Sequence, residues 1–158
     1  MTGDEILKVV KILAEYLVPT LKVFGFTLLY SVPLGMIVAL LKMCRIKPVS
    51  WLTNLYILIM RGTPLMLQVI VAYYAVPTLK SQDNLPSIIQ NILSNIDIKD
   101  ENYMFNAVLV AFVLNYAAYF AEIFRGGILA VDSGQTEAAR SLGLSSWQAM
   151  SMVVLPQA

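Results

Sequence analysis

Val23-Phe-Gly-Phe-Thr-Leu-Leu-Tyr-Ser-Val-Pro-Leu-Gly-Met-Ile-Val-Ala-Leu-Leu41 carries no charged side chain and is bracketed by Lys22 and Lys42. A helix needs roughly 20 predominantly apolar residues to cross the hydrocarbon core of a bilayer, which is about the length of this run. A second uncharged run, residues 62–79, lies between Arg61 and Lys80. A third, residues 104–121, ends at Glu122 and reaches Phe124 once that carboxylate is included. Residues 48–60 are apolar but too short to span alone, so they either start the second span near residue 50 or lie at the interface before it.

The composition leads to the same class. Hydrophobic residues make up 58% of the chain and charged residues 13%, against about 25% charged residues in an ordinary soluble domain. A soluble domain of this size could not bury so much apolar surface, so the surplus must face lipid or other subunits. The net charge of +1 gives no basis for a nucleic-acid partner. Cys44 is the single cysteine, so an internal disulfide is excluded, and the absence of histidine excludes histidine-based catalysis and histidine-ligated metal sites. The sequence has no Gly-rich phosphate loop of the Walker type, no metal cluster and no nucleophile with a base. Neither an enzyme nor a bound cofactor is expected.

Loop charge sets the orientation. The connection after the first run carries Lys42, Arg45 and Lys47, and the segment after the third carries Arg125 and Arg140. The connection at 80–103 sets two lysines against Asp83, Asp97, Asp100 and Glu101. Lys and Arg collect on the cytoplasmic side. The first and third connections are therefore expected inside, and the 80–103 loop and the N-terminus outside. Part of that loop, 85–96, reads as a short surface helix. Residues 1–22 contain Ile6, Val9, Val10, Leu13 and Leu17 at helical spacing, with Lys8, Lys11 and Glu15 elsewhere. They read either as an amphipathic helix on the membrane surface or as the start of the first span.

Residues 132–150 have the marks of two short helices. Asp132 or Ser133 can cap the first, Glu137 sits near its N-terminal end, and Gly143 suits a left-handed stop. Ser145 and Gln148 make a capping box for the second. Here the chain resembles a known family. Glu137-Ala138-Ala139, then Gly143, then Val153, Leu155 and Pro156, is similar to the EAA signature of ABC importer permeases, with Val153 where isoleucine is usual. Arg61-Gly62-Thr63-Pro64-Leu65-Met66-Leu67-Gln68, together with the stretch from Tyr116 through Tyr119 and Glu122 to Ile128, resembles the permeases of polar amino acids.

The resemblance implies an all-α integral membrane protein, a type I importer-like helical bundle in the bacterial inner membrane. It implies three transmembrane helices (23–41, 62–79 and 104–124) and cytoplasmic coupling helices at 132–150. Glu137, Ala138, Ala139, Gly143, Leu155 and Pro156 would belong to the region that docks an ABC ATPase subunit. The other implied partners are an extracytoplasmic amino-acid-binding protein and a second permease subunit, in a homodimer or heterodimer. Family members add two spans after Leu-Pro, so the chain reads as a fragment or truncated form.

A zwitterionic amino acid needs partners for its carboxylate and its ammonium in a low-dielectric path. Arg61 precedes the expected helix break at Gly62-Thr63-Pro64, and a helix N-terminus at a break is a natural carboxylate site, to which Thr63 and Gln68 add hydrogen-bonding groups. Asn115, Tyr119 and Glu122 share one helix face, and Glu122 is the acid nearest a span interior. The candidate substrate contacts are therefore Arg61, Thr63, Gln68, Asn115, Tyr119 and Glu122. Plainer readings stand beside them: Arg61 and Arg125 as anchors to head groups, and Glu122 as a structural ion pair with Arg125 or Arg61. Two other functions are also consistent with parts of the sequence, an ATP-independent transporter and a truncated, non-transporting membrane scaffold.

Overall fold

The computed structural model describes residues 3–82 and 85–158, so Asp83 and Asn84 of the expected outer loop lie outside the described residues. Every regular element among the described residues is helical: α1 (Gly3–Lys42), α2 (Lys47–Gly62), α3 (Leu65–Lys80), α4 (Ser87–Ser94), α5 (Tyr103–Ala130), α6 (Ser133–Ser141) and α7 (Ser146–Ala149), with α7 running into a π-helical turn at Met150–Val154. Within α1 the stretch Leu7–Lys42 is long and apolar enough to cross a membrane, as is α5, whereas α2 and α3 meet that test only when taken together as one broken span. Their break falls at Thr63 and Pro64, where Pro64 adopts an extended conformation before the first turn of α3. Proline fits that position because its missing N–H would have no intrahelical partner there.

Where the sequence divides residues 1–22 from residues 23–41, the structure has one unbroken helix. Lys22 brings no capping group or glycine that would end a helix. Pro19, which removes one backbone donor, is accommodated inside α1. Beside it the Thr20 hydroxyl donates to the Tyr16 carbonyl at 2.9 Å.

The chain forms two compact units. The first comprises Met1–Ser31 and Gly62–Asn115. In it, Phe26 of α1 meets Phe105 of α5 edge-on, with ring centroids 6.4 Å apart. The Tyr103 hydroxyl donates to the Tyr73 carbonyl at 2.6 Å, and the Lys80 ammonium donates to the Ile96 carbonyl at 2.5 Å. The expected short helix of the 80–103 loop is α4, which follows Pro86 and buries Leu93.

The second unit comprises Val32–Arg61 and Tyr116–Ala158. Its core joins Val38 and Ala39 of α1, Ile57 of α2, and Ala118 and Ala121 of α5, with Leu34, Tyr56, Met60 and Phe124 packed around them. Small residues make the close approach possible. A Cβ on Gly35 would lie 2.5 Å from the Cβ of Phe120 and 3.1 Å from the Ala117 carbonyl oxygen. In a bilayer, lipid tails are as apolar as leucine, so helix association depends on such backbone proximity and contact area. Apolar side chains are exposed in each unit: Phe24, Leu29 and Val71 in the first, and Leu58 and Ile123 in the second, are all more than 60% exposed.

Candidate functional site

The end of the second unit nearest the helix termini collects the charged candidates. Arg61 lies in the last turn of α2, where a cation complements the negative end of the helix dipole. Its guanidinium lies over the ring of Tyr119, 5.3 Å from the centroid, a cation–π contact. One turn further along α5, Glu122 accepts a charge-assisted hydrogen bond from the ammonium of Lys42 at the end of α1. The guanidinium of Arg125 approaches the other carboxylate oxygen at 3.8 Å. The pair is partly enclosed, with side-chain exposure of 16% for Lys42 and 24% for Glu122. Of the partners foreseen for Glu122, Arg125 is present, while Arg61 is engaged by Tyr119. Lys42 was not among the candidates. The signal for it was the loop-charge reading, which puts the ends of the first and third runs on the same side of the membrane.

In the first unit, the neutral polar candidates form a chain of hydrogen bonds. The Gln68 amide donates to the Thr63 hydroxyl at 2.7 Å and to its carbonyl at 3.2 Å. Its carbonyl oxygen accepts from the Asn115 amide at 3.0 Å. Asn115 is 5% exposed, and a buried amide is costly unless it is bonded in this way. The main-chain amides of Leu67 and Gln68 both donate to the Pro64 carbonyl, so the start of α3 points its remaining N–H groups and the positive end of its dipole toward the Thr63 side.

The structure brings the residues of the third motif together as a helix, a turn and a helix. Asp132 accepts from the Gly134 amide and caps α6. At the other end, Gly143 has φ +86°, and the amides of Gly143 and Leu144 donate to the carbonyls of Arg140 and Ala139, which is a Schellman stop. Ser145 and Gln148 then cap α7 reciprocally. Ala139 is buried beneath this turn while Glu137 and Ala138 face outward. Leu142, Trp147 and Met152 are 83%, 72% and 67% exposed. Leu155 donates its amide to the Met150 carbonyl at the end of the π-helical turn, and Pro156 follows on the surface. No group of side chains suited to holding a metal occurs among the described residues.

Comparison with known proteins places these features in context. The family described as "Binding-protein-dependent transport system inner membrane component" matches residues 31–158. The L-cystine transport system permease protein TcyL of Bacillus subtilis (strain 168) is 39% identical over 100% of this chain and 59% of its own length. The arginine transport system permease protein ArtQ of the same organism is 36% identical over 91% of this chain and 58% of its own. A solved structure described as an amino acid ABC transporter with histidines is 34% identical, covers 99% of this chain and 64% of that one, and superposes with a TM-score of 0.76. The chain thus spans about 60% of the length of the curated relatives it matches.

Proposed function

Because the chain belongs to the family of binding-protein-dependent transport system inner membrane components, we propose that it serves as the permease subunit of an ATP-driven importer of amino acids, with its N-terminus outside the cell. The observation that carries this reading is the α6–α7 region. It is a capped pair of short helices leading into a π-helical turn, with Leu142, Trp147 and Met152 exposed, suited to a groove on an ATPase. ATP hydrolysis belongs to that partner subunit. An extracytoplasmic binding protein delivers the amino acid, and a second permease subunit completes the path.

Each polar candidate takes the contact its chemistry provides. The Arg61 guanidinium, presented on Tyr119, takes the carboxylate. Glu122 takes the ammonium in exchange for Lys42, whose place on the carboxylate the substrate cation would fill. Within the first unit, Thr63, Gln68 and Asn115 are ordered by their own hydrogen bonds, so each would lose little rotamer entropy on meeting a polar ligand.

The test is ATP hydrolysis by the full-length permease assembled with its ATPase and binding protein. Loaded binding protein should stimulate hydrolysis. Arg61→Ala and Glu122→Gln should each lower the stimulated rate about ten-fold or more, the cost of one unpaired charge being on the order of 1.4 kcal/mol or higher. Basal hydrolysis should change little. Equal stimulation in the variants would remove these two residues from the substrate path, and absence of any ATPase association would remove the importer reading.

A further inference from the structure

Within the second unit, a cavity of about 750 Å³ opens between the end of α1, the start of α2 and the last turns of α5. Its walls bring together Lys42, Arg45, Lys47 and Arg125, with Asn54, Trp51 and Leu129. Four cations therefore surround one opening, and among the described residues the carboxylate engaging any of them is Glu122, which takes up Lys42 and Arg125. Arg45 and Lys47 have no ion pair among the described residues and stand exposed at the rim. The cavity is amphipathic as well as basic: Trp51 is 68% exposed and Leu129 59% exposed. Trp at such a position is typical of the membrane–water boundary. Elsewhere on α2 and α5, Leu52, Leu55, Leu58 and Ile123 are also exposed.

We propose that this cavity binds the phosphate head group of an anionic phospholipid, with the acyl chains lying along the exposed faces of α2 and α5. Charge selects the head group, because the unneutralised cations at the rim would repel one another in the absence of an anion. The adjoining apolar face selects a lipid over a soluble phosphate, which would leave Trp51 and Leu129 uncovered. The guanidinium of Arg45 suits a bidentate phosphate contact, and Lys47 adds a compact charge beside it. Basic recesses between membrane helices near a bilayer surface recognise head groups by this chemistry. The assignment requires only that the end of α1 lies at a bilayer surface, and it does not depend on the substrate contacts proposed above.

The experiment extracts the full-length subunit from vesicles of equal phosphatidylglycerol and phosphatidylcholine content and counts the lipids retained by native mass spectrometry. The parent protein should retain phosphatidylglycerol in preference to phosphatidylcholine. Arg45→Gln together with Lys47→Gln should weaken that retention roughly 25-fold, about five-fold for each surface cation removed, without altering phosphatidylcholine retention. Arg45→Lys should keep most of it, which separates loss of charge from loss of fold. Inorganic phosphate at millimolar concentration should fail to displace the lipid. Undiminished phosphatidylglycerol retention in the double variant, equal retention of both lipids by the parent, or complete displacement by inorganic phosphate would each overturn the assignment.

Discussion

The ammonium of Lys42, at the C-terminal end of α1, hydrogen-bonds the carboxylate of Glu122 on α5 across 80 positions of sequence. This pair ties the helix that ends at the basic 42–47 connection to the helix that leads into α6. Arg125 lies on the second carboxylate oxygen at 3.8 Å, so Glu122 is held from two sides. Breaking one side leaves a partly buried charge less well compensated. Lys42→Ala should therefore lower the stability of the full-length subunit in detergent by about 1–3 kcal/mol, between the values for exposed and fully buried pairs. Lys42→Arg should recover most of the loss. Thermal unfolding of Lys42→Ala, of Glu122→Gln and of the double variant gives the coupling. A double variant whose loss equals the sum of the single losses would show that the two side chains do not depend on each other.

What the sequence made legible was mostly local. Asp132, Gly143 and the Ser145–Gln148 box have short-range signatures, because a cap or a left-handed stop is decided by residues within a few positions, and the structure has all of them. The break before α3 was readable from Gly62-Thr63-Pro64 for the same reason. The Lys42–Glu122 pair and the seat of Gly35 against Phe120 were not readable, since both depend on which helices pack together. Of the two readings of residues 1–22, the one continuous with the first run matches α1, and the sequence left both open because apolar periodicity alone does not distinguish a surface helix from the first turns of a span. Among the candidate site residues, the sequence placed Asn115, Tyr119 and Glu122 on one face. It did not reveal that Arg61 would lie on the ring of Tyr119 rather than on Glu122.

Gly35 supplies a second test of the packing. A Cβ there would come within 2.5 Å of the Cβ of Phe120, a contact that requires the helices to move apart. Gly35→Val should destabilise the subunit by about 1–3 kcal/mol, the usual cost of overpacking. Gly25→Ala is the control, since nothing lies within 4 Å of the added carbon. Detergent unfolding should separate the two variants, and similar midpoints for both would mean that α1 and α5 do not approach closely at Gly35.

The turn at Gly143 makes a prediction about coupling. Its φ of +86° costs an ordinary L-residue about 1–2 kcal/mol, and a negative charge there would also stand beside the exposed Leu142. Gly143→Asp should abolish co-purification of the ATPase with the full-length permease while leaving membrane insertion unchanged. Gly143→Asn, which tolerates the left-handed region without adding charge, should retain much of the association. Undiminished co-purification with Gly143→Asp would place ATPase docking elsewhere.

The orientation can be read directly. With Cys44 replaced by serine, single cysteines at Ser94 of α4 and Ser145 of the α6–α7 turn should react with a membrane-impermeant reagent from opposite faces. Ser94→Cys should label in intact cells and Ser145→Cys only after permeabilisation. Labelling of both from outside would overturn the proposed topology.

The most direct measurement is uptake of radiolabelled amino acids into proteoliposomes that contain the full-length permease and its ATPase, with the binding protein supplied on the outer face and ATP enclosed. The proposed function requires that accumulation depend on both ATP and binding protein, and that Gly143→Asp abolish it. Accumulation that proceeds equally well without ATP would contradict it.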